Sequence, residues 1–144
     1  MAEPSKQRLR FWLQLLKATK HVENELRERM RVELGTTLPR FDVMAMLAKS
    51  GNGLKMSKLS TELMVSNGNV TGIVDRLENE NLVERVAIKG DRRATLVRLT
   101  TKGKTDFSCM AKAHERWVSE LFAGVDESEM DGARYFLAQI RELT

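Results

Sequence analysis

The sequence predicts a mainly α-helical protein with one small β-hairpin. Three observations lead there. Long segments repeat apolar residues at helical spacing, a single pair of short β-prone runs interrupts them, and positive charge concentrates on that pair. Residues 85–104 carry Arg85, Lys89, Arg92, Arg93, Arg98, Lys102 and Lys104 against Asp91 alone, a local charge of +6 in a chain of net charge +4. A cationic hairpin is an electrostatic footprint for a polyanion, with double-stranded DNA as the leading candidate.

A chain of 144 residues is expected to form one domain, 1–144, with a real core. It is 42% hydrophobic and 31% charged, and no apolar run approaches the length of a membrane span. The polar residues 1–10 argue against a secretory signal. Cys109 stands alone, which excludes an intramolecular disulfide and makes a reducing cytoplasm the expected setting. With only His21 and His114 beside it, no metal cluster is expected, and no nucleophile–base pair points to an enzyme. No cofactor is expected either.

The elements follow in order. Residues 6–34 carry Leu9, Leu13, Leu16, Val22, Leu26, Met30 and Leu34 with charges between them and no internal Gly or Pro. Such a helix would reach about 43 Å, longer than a small globule needs, so part of its face is expected to pack on another subunit. Gly35 supplies the stop. Thr37-Leu38-Pro39 starts a second helix, with Pro39 in the first turn where no donor is needed, and Phe41, Val43, Met44 and Leu47 facing the core. Ser50-Gly51-Asn52-Gly53 ends it. Ser57 is expected to cap a short helix burying Leu59 and Leu63; after a Met64-Val65 corner, Ser66 caps the next, residues 67–81.

That fourth helix places Val70, Ile73, Val74 and Leu77 on one apolar stripe. Two strands follow, 82–88 and 95–99, joined through Lys89-Gly90-Asp91-Arg92-Arg93. A fifth helix over 101–122 carries Phe107, Met110, His114, Trp117, Val118 and Leu121 at helical spacing. Asp126 and Glu129 then form a capping pattern, flanked by Val125 and Met130 as a hydrophobic staple, for a last helix reaching residue 143 through Phe136, Leu137 and Ile140.

A short helix, a tight turn, a capped amphipathic helix and a basic hairpin together make a winged helix-turn-helix. Its second helix would lie in the major groove with its N-terminal residues nearest the bases. Burying the apolar stripe turns Gly68, Gly72, Asp75 and Asn79 outward, flanked by Asn69, Thr71 and Arg76. Two glycines on one exposed helical face cost about 1 kcal/mol each relative to alanine, so stability alone would not select them. Bare backbone there would let the helix approach the groove closely, leaving Asn67, Asn69 and Thr71 to reach base edges. In the hairpin, Arg93 is placed to enter the minor groove, with Asp91 orienting its guanidinium. Arg92, Arg98, Lys102 and Lys104 would contact phosphate or raise the local potential. A solvated face with tolerated glycines, and an ordinary charged hairpin, are the plain alternatives.

These residues resemble a known pattern. Leu59-Ser60-Thr61-Glu62-Leu63, then Ser66-Asn67-Gly68-Asn69-Val70-Thr71-Gly72-Ile73-Val74-Asp75-Arg76-Leu77-Glu78, Leu82-Val83-Glu84-Arg85, Asp91-Arg92-Arg93-Ala94 and Val97-Arg98-Leu99-Thr100-Thr101-Lys102-Gly103 are similar to the multiple-antibiotic-resistance regulator (MarR) family. The resemblance implies a winged helix-turn-helix over about 36–100, flanked by N- and C-terminal dimerisation helices over about 6–34 and 101–144. It further implies a homodimer on a pseudopalindromic operator, released by a small anionic or aromatic ligand. Gly72 departs from the pattern, because many relatives carry a longer, often basic side chain there. The stretch from Asn67 to Leu77 looks like the branch that controls aromatic-acid catabolism, some members of which answer to aryl-CoA thioesters. The expected function is therefore a sequence-specific transcriptional regulator, a repressor released by an aromatic acid or its CoA thioester. A non-specific architectural DNA binder and a winged helix serving protein interaction stay open beside it.

For the effector, the residues nearest the expected pocket between the dimerisation helices and the winged part are Trp12, Leu16, His21, Arg40, Phe41, Met44, His114 and Trp117. They offer aromatic walls and a few cations for an acid. Arg8, Arg10, Lys17 or Lys20 could serve an acyl-CoA at the mouth. Cys109 lies in the fifth helix and reads as a buried, inert thiol.

Overall fold

The computed structural model describes residues 3–63 and 67–143, with the backbone alone at 67, 68, 92 and 93. Its elements run α1 (Pro4–Leu34), α2 (Leu38–Lys49), β1 (Leu54–Lys55), α3 (Met56–Leu63), α4 (Asn67–Asn79), β2 (Val83–Ile88), β3 (Asp91–Leu99), α5 (Thr101–Leu121) and α6 (Glu127–Glu142). The mainly helical fold with a small wing is as expected from the sequence.

Local chemistry explains most boundaries. Gly35 ends α1 at φ 60, its N–H donating to the Arg31 carbonyl while Thr36 N–H reaches Met30, so the last carbonyls are satisfied. Thr37 caps α2 by accepting from Arg40 N at 3.3 Å, and Pro39 sits in the first turn. Asp126 caps α6 by accepting from Ser128 N at 3.2 Å.

Four boundaries differ from expectation. A two-residue strand, β1, joins the hairpin, so the sheet has three antiparallel strands in the order β1-β3-β2, with Leu54 opposite Val97. Because β1 hands directly to α3, that helix begins at Met56 and Ser57 lies inside its first turn, where its carbonyl accepts from Thr61 Oγ1. Helix α4 stops at Asn79, since Asn81 takes φ 62 and Leu82 N–H returns to the Leu77 carbonyl. Strand β3 begins at Asp91, so Asp91-Arg92-Arg93 belong to it and the turn shrinks to Lys89-Gly90 with Gly90 at φ 93. Ile88 pairs with Asp91 and Ala87 with Thr95, which leaves residues 92–94 as a bulge on β3. The Met64-Val65 corner and the Ser66 cap lie outside the described residues.

Two apolar clusters hold the chain together. One lies under the winged part, joining Val43, Met44 and Leu47 of α2 to Leu59, the α4 stripe Val70, Ile73, Val74 and Leu77, and the sheet residues Val83, Val97 and Leu99. The other sits where α1, α2 and α5 meet, around Leu26, Met30, Phe41 and the fully buried Trp117. Phe41 stacks on Phe107 at 5.4 Å and on His114 at 4.5 Å.

At the other end of the molecule the apolar surface is uncovered. Helix α6 buries no residue, and Tyr135, Phe136 and Leu137 are exposed alongside Leu9, Phe11, Trp12 and Leu13 of α1. Phe11 and Phe136 meet edge to face at 5.4 Å. Among the described residues no helix is long and apolar enough to cross a membrane.

Candidate nucleic-acid interface

The interface is built by three tethers that fix the wing against α4. Thr100 is the first. Its hydroxyl donates to the Asn81 carbonyl at 2.6 Å and accepts from Gly103 N at 3.0 Å, while its own N–H donates to the Leu82 carbonyl at 3.0 Å. It thereby caps α5 and anchors the start of β2 in one step. Gly103 is the second: a Cβ there would lie 1.9 Å from the Leu82 carbonyl oxygen, so only glycine lets the first turn of α5 dock on that strand. This explains the Leu-Thr-x-x-Gly wording at 99–103 physically.

The third tether is Arg85. From β2 its guanidinium reaches Asp75 at 2.6 Å and Glu78 at 2.8 Å, both on α4. The Asp75 hydrogen bond raises the Arg85 pKa most, opposed by burial and reinforced by the charge of Glu78. Arg85 is therefore a positioning residue and is turned inward. Arg98 pairs across the strands with its register partner Glu84 at 2.7 Å, and Lys102 donates to the Glu80 carbonyl at 3.2 Å. Of the seven hairpin cations, Arg85, Arg98 and Lys102 have partners inside the molecule, Lys89 and Lys104 are exposed, and the side chains of Arg92 and Arg93 lie outside the described residues. The partners Asp75, Glu78 and Glu84 precede residue 85, outside the stretch whose charge was summed to +6.

On α4 the four apolar residues are buried as expected, and Asn69, Thr71, Asp75, Arg76 and Asn79 are exposed. Nothing lies within 4 Å of a Cβ built at Gly72, so internal packing does not require a glycine there. Asn67 and Gly68 open α4, and Arg92 and Arg93 lie on the bulge of β3; their side chains, like the whole of Ser66, lie outside the described residues.

A profile of the MarR family matches residues 36–95. The crystal structure of a MarR family transcriptional regulator from Silicibacter pomeroyi is 34% identical, with 99% of this chain and 98% of that chain covered and a TM-score of 0.83. The chain belongs to the MarR family. Among curated relatives, the HTH-type transcriptional repressor MdtR of Bacillus subtilis is 29% identical over 84% of this chain and 77% of its own length. The HTH-type transcriptional regulator PecS of Dickeya dadantii is 27% identical over 71% of this chain, and the match spans 63% of PecS. Membership of this family places the chain among transcriptional regulators and not among enzymes.

Against the MarR architecture, the eight residues expected at an effector site fall in three places. Trp12 lines a groove of about 800 Å³ between α1 and α6, with Phe11, Leu15 and Phe136; Leu16 is half-buried nearby and His21 is exposed further along α1. Phe41, His114 and Trp117 form part of the α1–α2–α5 cluster, where burial lowers the His114 pKa. Arg40 and Met44 line a separate cleft of about 570 Å³ between α2, α4 and α5, where Arg40 pairs with Glu80 at 2.6 Å; Cys109, expected to be buried, lines the same cleft and is exposed, because its position on α5 faces away from the core. One protomer does not bring the eight together. Glu80, which sequence reasoning missed, carries no local motif; only the fold sets it against Arg40.

Proposed function

We propose that this MarR family member is a sequence-specific DNA-binding regulator that acts in the cytoplasm as a homodimer, most simply as a repressor. The observation that carries the reading is Gly72, a mid-helix glycine on the outward face of α4 with open space at its Cβ position. A residue that costs helix stability and serves no internal contact fits a close approach by an outside partner, and the groove edge of DNA is such a partner. In this reading Ser66, Asn67, Gly68, Asn69, Thr71, Gly72 and Arg76 face the major groove. Arg93, with Asp91 and Arg92 beside it, enters the minor groove, and the exposed lysines contact phosphate. Arg98 contributes through the potential of the wing more than through direct contact, since Glu84 holds it.

The uncovered apolar faces of α1 and α6 supply the dimer surface, so 36–100 reads and the flanking helices pair. A pseudopalindromic operator follows from two-fold symmetry, with half-sites about one helical turn apart. The effector in this reading is a small aromatic acid or its CoA thioester, which must favour one spacing of the two winged parts to change DNA affinity. Titrating the dimer against its own upstream region and against random DNA across salt concentrations tests the proposal. A steep salt dependence with clear preference for the upstream fragment supports it; equal affinity for both would assign an architectural binder instead.

A further inference from the structure

Strand β1 and the first turn of α3 carry positive charge that the fold itself does not use. Lys55 and Lys58 are exposed and make no ion pair among the described residues. Antiparallel pairing sets Lys55 opposite Leu96 of β3, close behind the bulge at 92–94. Lys55, Met56 and Ser57 then line a notch of about 350 Å³ with Ala94 and Thr95 of β3. Lys58 faces a second cleft, shared with Lys49 and Glu62. The three lysines are not alike. Lys49 ends α2, where a cation suits the negative end of the helix dipole. Lys58 stands in the first turn of α3, at the positive end, and no acid accompanies it in that turn. Glu62 lies one turn later, the less favourable order for a helical pair. Lys55 leaves β1 on the solvent side, since its neighbour Leu54 fills the core. Stability therefore accounts for Lys49 and does not select Lys55 or Lys58.

We propose that Lys55 and Lys58 clamp the sugar-phosphate strand that separates the groove met by α4 from the groove met by the wing. The placement follows from the chain. Helix α3 packs through Leu59 on the α4 stripe, and β1 pairs with the strand that carries the bulge. In a helix-turn-helix the first helix of the motif crosses the backbone, which brings this end of α3 to phosphate. A phosphate also supplies the anion that Lys58 and the start of α3 both lack. Such contacts fix position and carry no sequence information. The inference rests on the DNA-binding reading above and adds a third point of contact to α4 and the wing.

Gel-shift titrations of the intact protein across salt concentrations test it, on the upstream fragment and on random DNA. Wild type is compared with Lys55→Gln, Lys58→Gln and Lys112→Gln. Lys112 is an exposed cation on α5, between two residues that pack on the α1–α2–α5 cluster, and controls for loss of charge alone. Lys55 and Lys58 are exposed, so neither change disturbs the core. Each should lower the slope of log affinity against log salt by about 1 and weaken both DNAs by the same factor. Lys112→Gln should leave the slope as in wild type. An unchanged slope in Lys55→Gln or in Lys58→Gln, an equal fall in Lys112→Gln, or a loss confined to the upstream fragment would each overturn the clamp. Wild type that binds neither DNA rejects the DNA-binding reading itself; wild-type binding with unaltered variants rejects the clamp alone.

Discussion

The Arg85 guanidinium lies 2.6 Å from the Asp75 carboxylate, joining the first strand of the wing to the middle of the recognition helix. With Glu78 as its second partner at 2.8 Å, Arg85 sets the angle between the wing and α4, the two elements proposed above to meet adjacent grooves. Arg85→Met keeps the stem and removes the pairs. Their partial exposure limits the stability loss to about 1 kcal/mol in urea denaturation, while operator affinity should fall by more than that because the wing loses its register. Equal losses in both would reduce Arg85 to an ordinary surface pair.

Gly103 is the tightest packing point at the wing–α5 junction. Gly103→Ala forces a methyl group against the Leu82 carbonyl oxygen, which is backbone and cannot rotate away. The variant should lose at least about 2 kcal/mol of unfolding free energy, toward the upper part of the range for overpacking. A urea midpoint equal to wild type would mean that α5 can slide along β2.

Gly72 makes the opposite prediction for stability. With open space at the Cβ position, Gly72→Ala should raise helix stability by about 1 kcal/mol and raise the thermal midpoint accordingly. Operator affinity should drop in the same protein, since the added methyl group stands between helix and groove. A variant that is both more stable and equally tight on DNA would show that the face is merely solvated.

His114 gives the fold a pH dependence. It stacks on Phe41 at 4.5 Å, and burial lowers its pKa from the ordinary 6.5. The folded state therefore binds fewer protons than the unfolded one, so this residue's contribution is intact above the unfolded pKa. It is lost as pH falls through that value and toward the folded one. Urea midpoints of wild type should decline between pH 7.5 and pH 5.5 more steeply than those of His114→Phe. Parallel slopes would remove the residue from the acid response.

Much of this was legible in the chain because it depends on near neighbours. Gly35, the Thr37–Pro39 start and the α4 stripe are local signals, and each sits where the pattern puts it. Strand β1 was hidden: two residues cannot show alternation, and Leu54-Lys55 become a strand only because β3 offers an edge more than forty positions later. Residues 91–93 read as loop from Gly90-Asp91, yet the turn closes in two residues and the bulge absorbs the rest. Part of the wing's charge is neutralised by residues outside 85–104, since Glu84 is the cross-strand partner of Arg98 and Asp75 and Glu78 on α4 hold Arg85. The residues expected at an effector site scatter because α1 carries Trp12 far from the winged part and because Arg40 and Phe41, consecutive on α2, face different sides of that helix.

The reading of the wing and α4 as one DNA-binding surface meets its most direct test at Arg93. Affinity of Arg93→Ala for the upstream fragment should be measured by gel-shift titration at fixed salt, with the dimer verified by sedimentation. Loss of operator affinity with the dimer intact is the predicted result; unchanged affinity would contradict the assignment of the wing to DNA.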